Sequence, residues 1–159
     1  MDILLTAFMG TSSELLIQDS MHNTLLLPSN RKTDVEILIS ALHKQAYDYI
    51  ISFGQRPLLK DKVCIETTAQ NANQKMETTA DCEYLRALFE KNGVRAKLSH
   101  NAGTSYCNNL YWHGLSYIAE KNWSSKMVFI HVPFEKNINN ITDFKQKISN
   151  VICHIDNGF

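Results

Sequence analysis

Lys126-Met127-Val128-Phe129-Ile130-His131-Val132-Pro133 is the stretch on which the fold turns. From Met127 to Val132 it is apolar except for one imidazole, and Pro133, which has no N–H to give a ladder, stops it. So short an apolar run falls far below the ~18 residues of a membrane span and reads as a strand buried on both faces. A segment of helical period lies on each side. Thr104–Lys121 places Leu110, Tyr111, Gly114, Leu115 and Ile118 on one stripe, and Asn140–Asp156 does the same with Phe144, Ile148, Val151, Ile152 and Ile155.

Further strands are predicted at Ile3–Thr6, Thr24–Leu27 (closed by Pro28), Tyr49–Phe53, Val63–Thr67 and Arg95–Leu98. Thr33–Ala46 reads as a helix opened by a Thr33/Glu36 capping box, and Ala80–Asn92 as one closed by Gly93. Strand then helix, repeated, predicts a three-layer α/β/α sandwich around a mostly parallel twisted sheet. Asn71–Thr79 is polar and reads as a loop, with no sign of a domain boundary, so residues 1–159 are expected to form a single domain.

The composition narrows the chemistry. Sixteen Lys and Arg balance sixteen Asp and Glu, so no basic field exists to draw in nucleic acid or an anionic membrane, and neither is an expected partner. An apolar share of 44% with 20% charged residues describes a globular protein. Met1-Asp2-Ile3-Leu4-Leu5 lacks the basic start of a secretory signal, and the expected location is the cytoplasm. Cys64, Cys82, Cys107 and Cys153 include no C-x-x-C pair and read as reduced thiols, with no metal and no cofactor expected. Neither G-x-G-x-x-G nor a P-loop run is present, which argues against a nucleotide-binding module.

In open α/β sheets the reactive crevice lies beyond the carboxyl ends of the strands. That rule singles out Gln55, Glu66 and His131, together with Cys107 at the start of the Thr104 helix. A thiol entering a helix N-terminus is activated by the dipole and by a neighbouring imidazole. A carboxylate on the far ring nitrogen fixes the tautomer of that imidazole.

Three blocks, placed along the chain in the family's order, resemble the pyroglutamyl peptidase I family of cysteine peptidases. Ala102-Gly103-Thr104-Ser105-Tyr106-Cys107-Asn108 is similar to its nucleophile run, Phe129-Ile130-His131-Val132-Pro133 to its histidine block, and Ile65-Glu66-Thr67-Thr68-Ala69-Gln70-Asn71 to its glutamate block. Leu5-Thr6-Ala7-Phe8 and Gly54-Gln55 are weaker matches. The resemblance implies a hydrolase that removes N-terminal pyroglutamate from blocked peptides, with Cys107 as nucleophile, His131 as base and then acid, and Glu66 orienting the imidazole. It also implies Phe8, Gln55, Ser105 and Tyr106 at the substrate pocket, and a homo-oligomer. The chain departs from the pattern in four places. The segment between Asn71 and the Ala80 helix is much shorter than the family's, which implies a missing covering loop. The loop after the first strand is shortened to Met9-Gly10-Thr11-Ser12-Ser13, Arg56-Pro57-Leu58-Leu59 follows Gly54-Gln55, and Thr67 stands where the family has a basic residue. The alternative reading is a catalytically silent or altered homologue that binds a small lactam or peptide.

Overall fold

Apolar runs with no polar alternation form the middle of the molecule. In the computed structural model, which describes residues 1–158, they become β1 (Ile3–Phe8), β2 (Asn23–Leu27), β3 (Tyr49–Arg56), β4 (Lys62–Glu66), β7 (Arg95–Ser99) and β8 (Lys126–Pro133). These six strands make one sheet in the order β2-β1-β3-β8-β4-β7, while β5 (Thr68–Asn71) and β6 (Gln74–Glu77) pair as a separate hairpin. β2, β1, β3 and β8 run parallel. β4 is antiparallel to β8, and β7 runs with β4, so the sheet is mostly parallel with two reversed strands at one edge.

Successive residues of a strand point to opposite faces, which divides the core in two. Leu5, Ile51, Phe53, Val128 and Ile130 pack beneath α1 (Ser12–Ile17), α3 (Cys82–Lys91) and α5 (Ile141–Asp156). Leu4, Phe8, Ile50, Met127 and Phe129 pack beneath α2 (Arg31–Lys44) and α4 (Tyr106–Glu120). Cover on both faces is why these strands read as continuous apolar runs. No helix among the described residues is long and apolar enough to cross a membrane.

Three local expectations are corrected. Thr33 and Glu36 do not open α2; Asn30 does, its side-chain oxygen accepting from the backbone N–H of Lys32 and Thr33. The segment 71–79 is not a loop, since Asn71 pairs with Gln74 and Thr68 with Glu77 across a turn in which Ala72 has φ 52°. The loop after β1 contains the two-turn helix α1, whose Ser12 and Ser13 are buried against the sheet end.

Asn30→Ala is expected to destabilise the fold by about 1 kcal/mol in urea denaturation, the usual value of an N-cap oxygen. Thr33→Ala should cost much less; a larger cost at Thr33 than at Asn30 contradicts this start of α2.

Candidate active site

Cys107, His131 and Glu66, remote in sequence, lie on the one face of the sheet that α4 covers. In the β3–β8 ladder Gly54 is the partner of His131, and in the β4–β8 ladder Cys64 is partner of His131 and Glu66 of Phe129. Partners in register share a face, so Gly54, Cys64, Glu66, Phe129 and His131 form one patch. α4 lowers Cys107 onto it. A β-carbon added to Gly54 would lie 2.8 Å from Cys107 Sγ and 2.9 Å from Phe129 Cζ, so the thiol rests on bare backbone one strand from His131. The Phe129 and His131 rings are 4.9 Å apart.

Glu66 is fully buried. Its Oε1 lies 2.7 Å from His131 Nδ1 and accepts from Arg56 Nη1 at 2.8 Å. A carboxylate only accepts, so His131 Nδ1 is the donor in this contact, and Nε2 is the ring nitrogen turned away from Glu66. Glu66 Oε2, also buried, has no hydrogen-bond partner. The Glu66 backbone is fixed from above, where the buried Tyr111 hydroxyl of α4 donates to its carbonyl at 2.9 Å. The rule that placed Glu66 at the strand-end rim is corrected here. β4 runs against β8, so its carboxyl end turns inward and Glu66 reaches His131 from beside the strand.

The corner that leads into Cys107 is built from backbone. Gly103 has φ +89°, a left-handed conformation that side chains resist, and its N–H donates to Asn101 Oδ1 at 2.9 Å. The N-cap of α4 is Ser105 rather than Thr104, leaving Tyr106, Cys107 and Asn108 as the first turn. Each of the next residues grips a different neighbour. Cys107 faces the sheet. Asn108 brackets the hairpin, with Oδ1 accepting from Gln70 N–H at 2.9 Å and Nδ2 donating to Gln70 O at 2.8 Å. Asn109 Nδ2 donates to Arg31 O at 3.1 Å, and Arg31 returns a bond to Thr104 O at 2.9 Å.

The expectation of an activated resting thiolate is corrected. Cys107 is only 4% exposed, and burial pushes its thiol up to about 12. The Asp34 and Glu66 carboxylates add to the shift, opposed by the Ser105 hydroxyl and the Cys107 amide. Desolvation outweighs the helix terminus, and the sulfur is protonated at neutral pH. Asp34, on the first turn of α2, is itself fully buried, and no side chain pairs with its carboxyl group. Burial raises its pKa, although the Asn30 and Ser29 amides pull the other way.

The expected pocket residues divide. Phe8 and Tyr106 stack edge to face at 4.8 Å between centroids, and Phe8 also lies 6.5 Å from Phe129. Ser105 stands beside the thiol. The Gln55 side chain goes elsewhere: it alternates to the opposite face, where Oε1 accepts from Ser12 N–H at 3.2 Å. Arg56 was noted in the sequence solely as a departure, and nothing in its local pattern signals an ion pair with a residue on another strand.

The family model for pyroglutamyl peptidase matches residues 83–149. A pyrrolidone-carboxylate peptidase of Oceanobacillus iheyensis is 36% identical over 146 residues, which cover 77% of this chain and 73% of that protein. One of Fusobacterium nucleatum is 29% identical over 133 residues, 69% of this chain; the chain spans 61% of that relative's length. The crystal structure of a pyrrolidone carboxyl peptidase from Fervidobacterium islandicum superposes with a TM-score of 0.86 at 17% identity, covering 98% of each chain, a likeness of fold.

Two outcomes are expected. Iodoacetamide at pH 7 should label the exposed Cys153 first, and Cys107 labelling should rise about tenfold per pH unit as thiolate forms; a pH-independent Cys107 rate contradicts a protonated resting thiol. A carboxyl with a raised pKa favours folding while protonated and loses that contribution as pH rises past the ordinary carboxylate range. Asp34→Asn should therefore raise Tm by a few degrees at pH 7, at ~2–4 °C per kcal/mol, with the advantage shrinking toward pH 3. An equal advantage at both pH values overturns that account of Asp34.

Proposed function

The chain belongs to the pyroglutamyl peptidase family, and from that premise we propose that it is a cysteine hydrolase releasing N-terminal pyroglutamate from peptides through Cys107, His131 and Glu66. The observation that carries this reading is the Glu66–His131 contact of 2.7 Å beside the Gly54 bed on which Cys107 Sγ rests.

Because the resting thiol is protonated, attack is base-assisted. His131 Nε2 takes the Cys107 proton as Sγ adds to the acyl carbonyl, and Glu66 holds the resulting imidazolium through Nδ1–H. The amides of the first turn of α4 have no intrahelical carbonyl to bond and can accept the oxyanion. Collapse of the tetrahedral intermediate breaks the C–N bond, and the imidazolium gives its proton to the departing amine. His131 then deprotonates a water that attacks the thioester, releasing the free acid and returning the proton to sulfur. The five-membered ring fits against Phe8, with Tyr106, partly exposed, turning off that ring to admit it.

Wild-type protein is expected to hydrolyse a pyroglutamyl naphthylamide, and Cys107→Ala to lose at least ~10³-fold in kcat. Full activity in Cys107→Ala removes the nucleophile. The near-closed thiol favours a second reading, a silent lactam-binding homologue. It is supported if no pyroglutamyl amide is cleaved and pyroglutamate raises Tm.

A further inference from the structure

Arg56 closes β3 two residues beyond Gly54 and, by alternation, projects onto the face that carries Cys107. It is 30% exposed, with its guanidinium turned inward. Nη1 donates to Glu66 Oε1 at 2.8 Å, the same oxygen that His131 Nδ1 meets at 2.7 Å. Nη2 donates at 3.0 Å to the carbonyl of Asn101, whose side chain holds the Gly103 corner before Cys107. The guanidinium also lies beside the Cys64 thiol, the strand partner of His131. One planar cation therefore touches the carboxylate behind the imidazole and the turn that delivers the sulfur.

Resting on the reading of Cys107, His131 and Glu66 above, we propose that Arg56 is a positioning residue of this site. It fixes which Glu66 oxygen faces His131 and ties that oxygen to the Asn101–Gly103 corner, so that imidazole and thiol keep one relative placement. Two observations carry this. Both donors converge on Oε1 while Oε2 stays bare, so without the guanidinium the carboxylate is free to turn about its terminal torsion and present either oxygen. The two arms of the fork also reach two different chain segments, a geometry that a lysine ammonium, with its single nitrogen, does not reproduce.

The test compares wild type, Arg56→Gln, Arg56→Lys, Glu66→Gln and the Arg56→Gln/Glu66→Gln double variant. Turnover of a pyroglutamyl naphthylamide is one readout, and the low-field NMR resonance of His131 Nδ1–H, assigned by its loss in His131→Gln, is the other. Arg56→Gln is expected to lower kcat by about 10²-fold, the scale of an ångström of misplacement, with little change in KM. Arg56→Lys, which keeps the charge, is expected to fall between, and added guanidinium ion to restore part of the Arg56→Gln loss. In the Glu66→Gln background the Arg56 change should cost almost nothing more. The Nδ1–H resonance should move or broaden in Arg56→Gln. A kcat equal to wild type, a loss that simply multiplies with that of Glu66→Gln, or an unmoved resonance overturns the proposal. If Arg56→Gln does not fold, wild-type kcat and resonance in Arg56→Lys overturn it equally. If wild-type protein cleaves no pyroglutamyl amide, the proposed function fails, and the resonance alone decides the role of Arg56.

Discussion

A carboxylate fully buried on one face of the sheet is the constraint from which the site follows. Glu66 sits where water does not reach, and an ion there costs several kcal/mol unless charge and hydrogen bonds return. They return from two directions, a guanidinium from β3 and a ring N–H from β8, on a single oxygen. For both to arrive, β4 must lie next to β8 with the register that sets Glu66 opposite Phe129. The reversed direction of β4 and β7 thus belongs to the chemistry as much as to the architecture. The tyrosine of α4 on the Glu66 carbonyl locks the helix bearing the sulfur to the strand bearing the acid.

The sulfur poses the opposite problem. A thiol is cheap to bury and a thiolate is not, so the apolar bed of Gly54 and Phe129 keeps Cys107 neutral until something removes its proton. On the function proposed for it, this site would work more like a serine triad than like a resting thiolate–imidazolium pair. Under that proposal reactivity would depend on the placement of the base, which gives the orientation of His131 its weight. Asp34, buried on α2, pushes the thiol in the same direction.

The strands were legible wherever burial on both faces leaves an unbroken apolar run, as in Tyr49–Phe53 and Met127–Val132. Their direction was not, because the pattern of a buried strand is the same read forwards or backwards; the inward-turned end of β4 follows from that. The hairpin of β5 and β6 escaped notice because Gln70, Asn71, Gln74 and Lys75 supply no apolar alternation, and the Asn108 bracket that holds it comes from 38 residues downstream. Cys107, His131 and Glu66 were singled out through motif resemblance, and their shared face of the sheet was not readable from it. Arg56 was not, since its meaning depends on a partner ten positions away across a strand that is not its sequence neighbour.

Three consecutive residues of α4 engage three separate bodies: Cys107 the sheet, Asn108 the hairpin and Asn109 the start of α2. A helix advances about 100° per residue, so its opening turn works as a spindle seated in three bearings. Lengthening the base of the hairpin would rotate that spindle and carry the sulfur off its glycine. The same insertion in the 121–125 connection, at the far end of the helix, would leave it seated.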